Sequence, residues 1–334
     1  MKTLARKKRI RPKIPKDPTQ TATLFRQWAA EINRKFRKLK DAIKTEIVDK
    51  DIFGLQQGAF LVLERGKIVL QPRHFKYSTE QEILDGFMSW LFEMVDSEIL
   101  EVTIREGAVI TGHEGWQDKF VRAAYDKGVK KTGQTINSLY GANLVDGFAA
   151  GHTGLAFHLR GPVHAPKVAS LYSRAFHELK GITEAMSQQI GRELAQGISL
   201  GKNPLDIARS LTKRVDAIGI TRARLLARTE TAFAHSMGTI YEAKHQEGVL
   251  GEEIKFQWLT AQDDRVRPEH QKRLGRVFTK EEAAELVGEP NCRCSLMPYI
   301  ESVQGPIDSK TRIPLNADEW PRELIKDVDV IKKQ

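Results

Sequence analysis

Cysteine is nearly absent from this chain of 334 residues: only Cys292 and Cys294 occur. Two thiols two positions apart cannot staple a fold, so a disulfide scaffold is excluded and synthesis in a reducing cytoplasm is expected. Long apolar runs are lacking too. No stretch approaches the about 18 consecutive apolar residues that a membrane-spanning helix needs. The basic start, MKTLARKKRIRPKIPK, is not followed by the apolar segment of a signal peptide. Also missing are a glycine-rich phosphate loop, a nucleophile elbow and the paired histidines of a zinc protease. The nine histidines are scattered. His152, His158 and His164 share a glycine-rich stretch and read as surface-loop residues. No catalytic constellation stands out, and the expectation is a protein that is not an enzyme.

What is there begins with charge. Residues 1–50 hold 16 Lys/Arg and 5 Asp/Glu, more than the whole chain's excess of +10, so the remaining residues are close to neutral. A basic arm on a neutral body suits a polyanion, with nucleic acid favoured over a solubilising tail or an anionic membrane surface. Lys2, Arg6, Lys7, Lys8, Arg9, Arg11, Lys13 and Lys16 supply eight cations before the first acid, Asp17. Pro12, Pro15 and Pro18 break any helix there, which predicts a disordered arm over 1–20. The arm has no aromatic residue to stack on bases, so sequence-independent contact with DNA phosphates is the expected mode.

Helical periodicity fills the next stretch. Phe25, Trp28, Ile32, Phe36, Leu39, Ile43 and Ile47 form one apolar stripe, with Arg26, Arg34, Lys35, Arg37, Lys38 and Lys40 expected on a solvated face. Residues 59–70 predict a β-hairpin around Glu64-Arg65-Gly66. A capping box at 78–82 opens a helix carrying Phe87, Trp90, Leu91 and Met94. Trp116 and Phe120 begin another, ended by Gly128, and residues 133–161 read as loop. Val168 to Leu179 form a helix stopped by Gly181, and a new one starts at Thr183. Asn203-Pro204 is an N-cap and first-turn pair. Gly219 should separate that helix from one capped by Thr221 and closed at Gly248. Ala227, Ala234, Ser236 and Gly238 on the last helix would admit a close neighbour. Beyond Gly248 the period shortens. Ile254, Phe256 and Trp258 alternate as a strand, Arg276–Phe278 is a second, Thr279 caps a short helix, and Cys294–Tyr299 is an edge strand because of Pro298. The fold class predicted is a mainly α N-terminal region with a smaller α+β C-terminal domain. The divisions are a basic arm at 1–20, a helical region at 21–182, a domain at 183–300 and a polar tail at 301–334.

The chemistry collects at the C-terminal side. Cys292 and Cys294, at i and i+2 on a strand, present both thiols to one face. Asp263 and His270 would complete a tetrahedron, and zinc accepts sulfur, imidazole nitrogen and carboxylate oxygen. The simpler alternative is a pair of reduced, half-buried thiols. Arg228 and Glu230 lie two apart on a helix, point to different faces and should each reach another element, Arg228 meeting Asp263 or Asp264.

Three strings recur here in order: Ala227-Arg228-Thr229-Glu230, then Phe256-Gln257-Trp258-Leu259 with Asp263-Asp264-Arg265-Val266-Arg267 and His270, then Pro290-Asn291-Cys292-Arg293-Cys294. Their order and spacing resemble the C-terminal domain of tailed-phage head morphogenesis proteins, the phage Mu F-like minor capsid proteins. The resemblance covers roughly residues 183–300, and region 21–182 looks like the N-terminal part of such proteins. Many members place a histidine directly before the Pro-Asn-Cys-Arg-Cys string. Here that position is Glu289, so a metal site built on that histidine is not carried over. The resemblance implies a minor virion component inside the head, made in the host cytoplasm. Its implied partners are the portal protein, the capsid interior and DNA, with no membrane, in packaging or ejection of the genome. The rival expectation is a metal-dependent nuclease or toxin using Glu230, Asp263, His270, Cys292 and Cys294.

Overall fold

Trp28, Ile32, Phe36, Leu39, Ile43 and Ile47 are all buried, and the helix they create, α1, runs Ala22–Lys44 before a π-helical turn at Thr45–Asp49. The computed structural model describes residues 17–53, 61–64, 67–70, 80–104, 113–140, 164–261 and 263–307. The readings made for residues 1–16, for His152 and His158, for the 78–79 end of the capping box and for the tail from 308 lie outside the described residues. The chain is mostly helical, with a small three-stranded antiparallel sheet in its C-terminal part. No described helix is long and apolar enough to cross a membrane.

The chain divides into two units, each drawn from separated segments. One takes Gln27–Gln117 and Ser173–Leu226, the other Met1–Arg26, Asp118–Tyr172 and Ala227–Gln334. Residues 183–226 therefore fall in the first and 227–300 in the second.

The first unit is helical with two short hairpins. Strands β1 (Leu61–Glu64) and β2 (Lys67–Leu70) pair antiparallel, matching the expected hairpin, and β3 (Val102–Ile104) pairs with β4 (His113–Gly115). Helix α2 (Glu80–Glu98) buries Phe87, Leu91 and Val95. Lys35 departs from the expected solvated face. It is only 3% exposed, its Nζ donates to the Glu98 carbonyl at 2.7 Å, and Glu101 pairs with it at 3.1 Å. A cation at the last residue of α2 meets the negative end of that helix, which offsets its desolvation.

Several glycines read as stops are not stops. Helix α3 (Asp118–Tyr140) runs through Gly128 and Gly133, so the loop expected from 133 begins no earlier than 141. Helix α4 (Ala165–Ser199) runs through Gly181, and Thr183 is no cap: its hydroxyl donates to the Lys180 carbonyl inside the helix. Asn203 does cap α5 (Pro204–Arg214), its side chain accepting from the Leu205 N–H at 2.8 Å. From there the backbone stays helical through a π segment, Val215–Ile220, into α6, Thr221–Leu250. Gly219 is a contact, since a Cβ there would stand 2.4 Å from the Phe36 ring. Helix α6 ends at Gly251, with φ +70°, rather than at Gly248. One glycine in a helix costs only about 1 kcal/mol against alanine, which packing readily outweighs.

The second unit holds the sheet. β5 (Lys255–Leu259) is central, flanked by β6 (Val277–Phe278) and β7 (Ser295–Tyr299), all antiparallel, so Pro298 sits on an edge as expected. Short helices α7 (Pro268–Lys272), α8 (Lys280–Leu286) and α9 (Glu301–Gln304) connect or close it, and the Thr279 capping box is formed. Ile254, Phe256, Trp258, Phe278, Leu296 and Ile300 pack with Ile136 of α3 and Ile240 of α6. Helices α3 and α6 touch backbone to backbone. A Cβ on Gly128 would lie 2.1 Å from the His235 carbonyl oxygen, and one on Gly238 would lie 2.4 Å from that of Tyr125.

Candidate functional site

The three strings converge within the second unit. Pro268 opens α7, and the single turn that follows turns His270 inward, 2% exposed and edge-on to Trp258 at 5.9 Å. After Gly288, at φ +91°, a tight turn closes with the Cys292 N–H donating to the Glu289 carbonyl at 3.1 Å, and Asn291 takes φ +61°. A left-handed third residue suits asparagine there. Thr229 of α6 accepts from the Asn291 N–H at 2.9 Å and ties this turn to the helix.

The turn delivers both thiols to His270. Its Nδ1 lies 3.3 Å from the Cys294 Sγ and 3.5 Å from the Cys292 Sγ, and the Cys294 N–H donates to the Cys292 Sγ at 3.4 Å. On the opposite edge of the ring, Nε2 is 2.8 Å from a Glu289 carboxylate oxygen. Arg267 (2.7 Å) and Arg273 (3.2 Å) donate to the same carboxylate, and Arg267 also reaches the Pro290 carbonyl. Glu289 is thus clamped by three cationic or polar groups. The Cys294 thiol and then His270 pull the Cys292 thiol down to about 5, against burial. Cys292 and burial push the Cys294 thiol up. Burial opposes protonation of His270, but Cys292 and Glu289 outweigh it and raise its pKa.

Asp263 is elsewhere. Arg293 grips both its oxygens, at 2.5 and 2.6 Å, and Arg265 donates to it at 3.0 Å. Arg293 above all holds the Asp263 carboxyl far below the usual carboxylate range. The structure therefore removes Asp263 from the predicted ligand set, because two guanidinium groups saturate it. Arg228 does not take the Asp263 or Asp264 partner expected for it. Its guanidinium lies over the Phe25 ring at 4.2 Å, a cation–π contact. Glu230 is buried on α6, at 2% exposure.

A cleft of about 490 Å³ joins these pieces, lined by Phe25, Arg228, Asp263, Arg265, Cys292 and Arg293 among others. That volume lies in the range of small-molecule pockets. Residues of all three strings reach it. The sequence signal missed Thr229, Arg267, Arg273 and Arg293 as fixing residues. All four stand inside the quoted strings or next to them, but their partners are set by the tertiary fold. His164 was misread as well. It is 1% exposed, with Nδ1 at 2.8 Å from the Tyr125 hydroxyl and Nε2 at 3.2 Å from Glu242.

Comparison with known proteins follows these motifs. Residues 188–297 match the family described as phage Mu protein F like protein. An uncharacterized protein of Methanocaldococcus jannaschii is 30% identical over 129 residues, which covers 38% of this chain and 19% of that protein. The chain thus spans about a fifth of the length of that relative. No solved structure matches. Over residues 188–297, the stretch that brings Arg228, Asp263 and Cys292 to one cleft and His270 to the two cysteines, the chain is similar to the phage Mu protein F like family.

Proposed function

We propose that this protein is a minor head protein of a tailed phage, acting in head morphogenesis at the portal or capsid interior, with a part in DNA packaging or ejection and no catalysis of its own. The observation that carries this reading is the family match over the segment whose three strings build one site. The protein's place is then the virion, and its partners are other head proteins and the genome. Deleting the gene should give empty or non-infectious heads, and washed wild-type particles should contain the chain by mass spectrometry. Normal yields of infectious particles from the deletion strain would sink the proposal. Chelator-sensitive cleavage of DNA by the purified chain would replace it with the nuclease reading.

The contact with DNA is assigned to the arm at residues 2–16, on its charge alone. Eight cations engaging duplex phosphates should give a slope of log affinity against log salt of roughly −7. Deleting residues 2–16 should flatten that slope and leave the melting temperature unchanged. Binding measured across a salt series for both forms decides it, and equal slopes would take DNA away from the arm.

A further inference from the structure

We infer that His270, Cys292 and Cys294 form a zinc site, with Glu289 as the residue that orients its histidine. The first reason is geometric. Zinc bound by imidazole nitrogen at about 2.0–2.1 Å and by thiolate sulfur at about 2.3 Å puts those donors about 3.6 Å apart at the tetrahedral angle. The observed Nδ1–Sγ separations are 3.3 and 3.5 Å, and all three donor atoms lie within 4.8 Å of one another. An ion fits between them with shifts of a few tenths of an ångström.

The second reason is the histidine's other edge. Nε2 faces a Glu289 carboxylate oxygen at 2.8 Å, so it carries the ring proton when the imidazole is neutral. Nδ1 then presents its lone pair to the thiols. A carboxylate behind a ligating imidazole is the usual way of holding tautomer and orientation. Glu289 cannot itself reach an ion on the Nδ1 side, because it sits across the ring, and Arg267 and Arg273 balance its charge. The third reason is the turn. The Cys294 N–H aimed at the Cys292 sulfur supports a thiolate there, the form of cysteine that binds a metal.

Donor type selects the metal. Two thiolates and one imidazole are soft to borderline ligands that suit zinc and disfavour magnesium or calcium. The fourth ligand in this assignment is a water. Binding displaces the thiol protons and any proton on Nδ1 into solvent and involves no change of oxidation state.

The test uses the full chain, purified with a tag that binds no metal, under reducing conditions and without chelator. Elemental analysis should find one zinc per chain, and cobalt(II) added to the stripped protein should give a thiolate-to-cobalt charge-transfer band. Cys292→Ser and Cys294→Ser should lose the stoichiometric metal and the band, whereas Asp263→Asn should keep both. Glu289→Gln should weaken zinc binding about 10- to 100-fold. Wild-type protein without metal and without the cobalt band would overturn the assignment, as would a Cys292–Cys294 disulfide in the freshly isolated chain. The wild-type measurements stand even if a cysteine variant fails to fold.

Discussion

Gly238→Ala should lower the melting temperature by roughly 10 °C, and Gly128→Ala should do the same. In each case the new methyl meets a carbonyl oxygen of the facing helix, at 2.4 Å for Gly238 and 2.1 Å for Gly128. A flexible side chain could swing away from such a contact, but backbone in the middle of a helix cannot. Helices α3 and α6 must separate, and Ile136 and Ile240, which share one core with Trp258, lose packing. Overpacking of this kind costs about 3 kcal/mol at the upper end of the usual range, and each kcal/mol moves a unit of this size by about 2–4 °C. Gly248→Ala is the control. It lies in the same helix with nothing within 4 Å, and should stabilise by up to about 1 kcal/mol. Thermal melts of the three variants separate the cases, and three equal melting temperatures would refute the close approach.

Acid should cost this protein stability through His235. The ring is fully buried on α6, and neither nitrogen has a hydrogen-bond partner among the described residues. Burial first, then Lys131 and Lys127, pull its pKa down to about 3. The unfolded chain binds this proton near pH 6.5 and the folded chain does not, so the unfolded state holds more protons between those values. Stability therefore falls as pH drops through about 6.5, and the loss from this one ring approaches roughly 3 kcal/mol by pH 4. Denaturant unfolding of wild type and His235→Leu at pH 7 and pH 4 tests it. The leucine variant should gain on wild type as pH falls, whatever its stability at pH 7. Parallel pH profiles would show that the ring is solvated in the folded state.

These two sites show what the sequence could and could not reveal. The small residues of α6 read directly as a close-packing face, and Gly238 is the point of contact. Gly128 read as a helix end because glycine is a poor helix former, and only the partner backbone at 2.1 Å explains its presence inside α3. The apolar stripe of α1, the Asn203 cap, the Thr279 capping box and the alternation of β5 were legible because each is a local signal. Lys35 was not, since its partners lie 63 and 66 residues away. The candidate site divides along the same line. Cysteine spacing and His270 pointed to one cluster, but Asp263 was separated from it by Arg293, and no spacing rule pairs residues 30 apart. Glu289 looked like the loss of a ligand and stands instead behind His270.

The interleaving of the two units bears on how the chain comes to be folded. The core around Trp258 closes only when Ile136 meets Leu296 and Ile300. Until the strand at Ser295–Tyr299 has left the ribosome, β5 lacks its longer neighbour, and α3 has no sheet to cover. Contacts of such wide sequence separation slow the search for the native state and leave apolar helix faces exposed while it proceeds. During synthesis the apolar faces of α3 and α6 that join this core therefore stay uncovered until its last strand pairs.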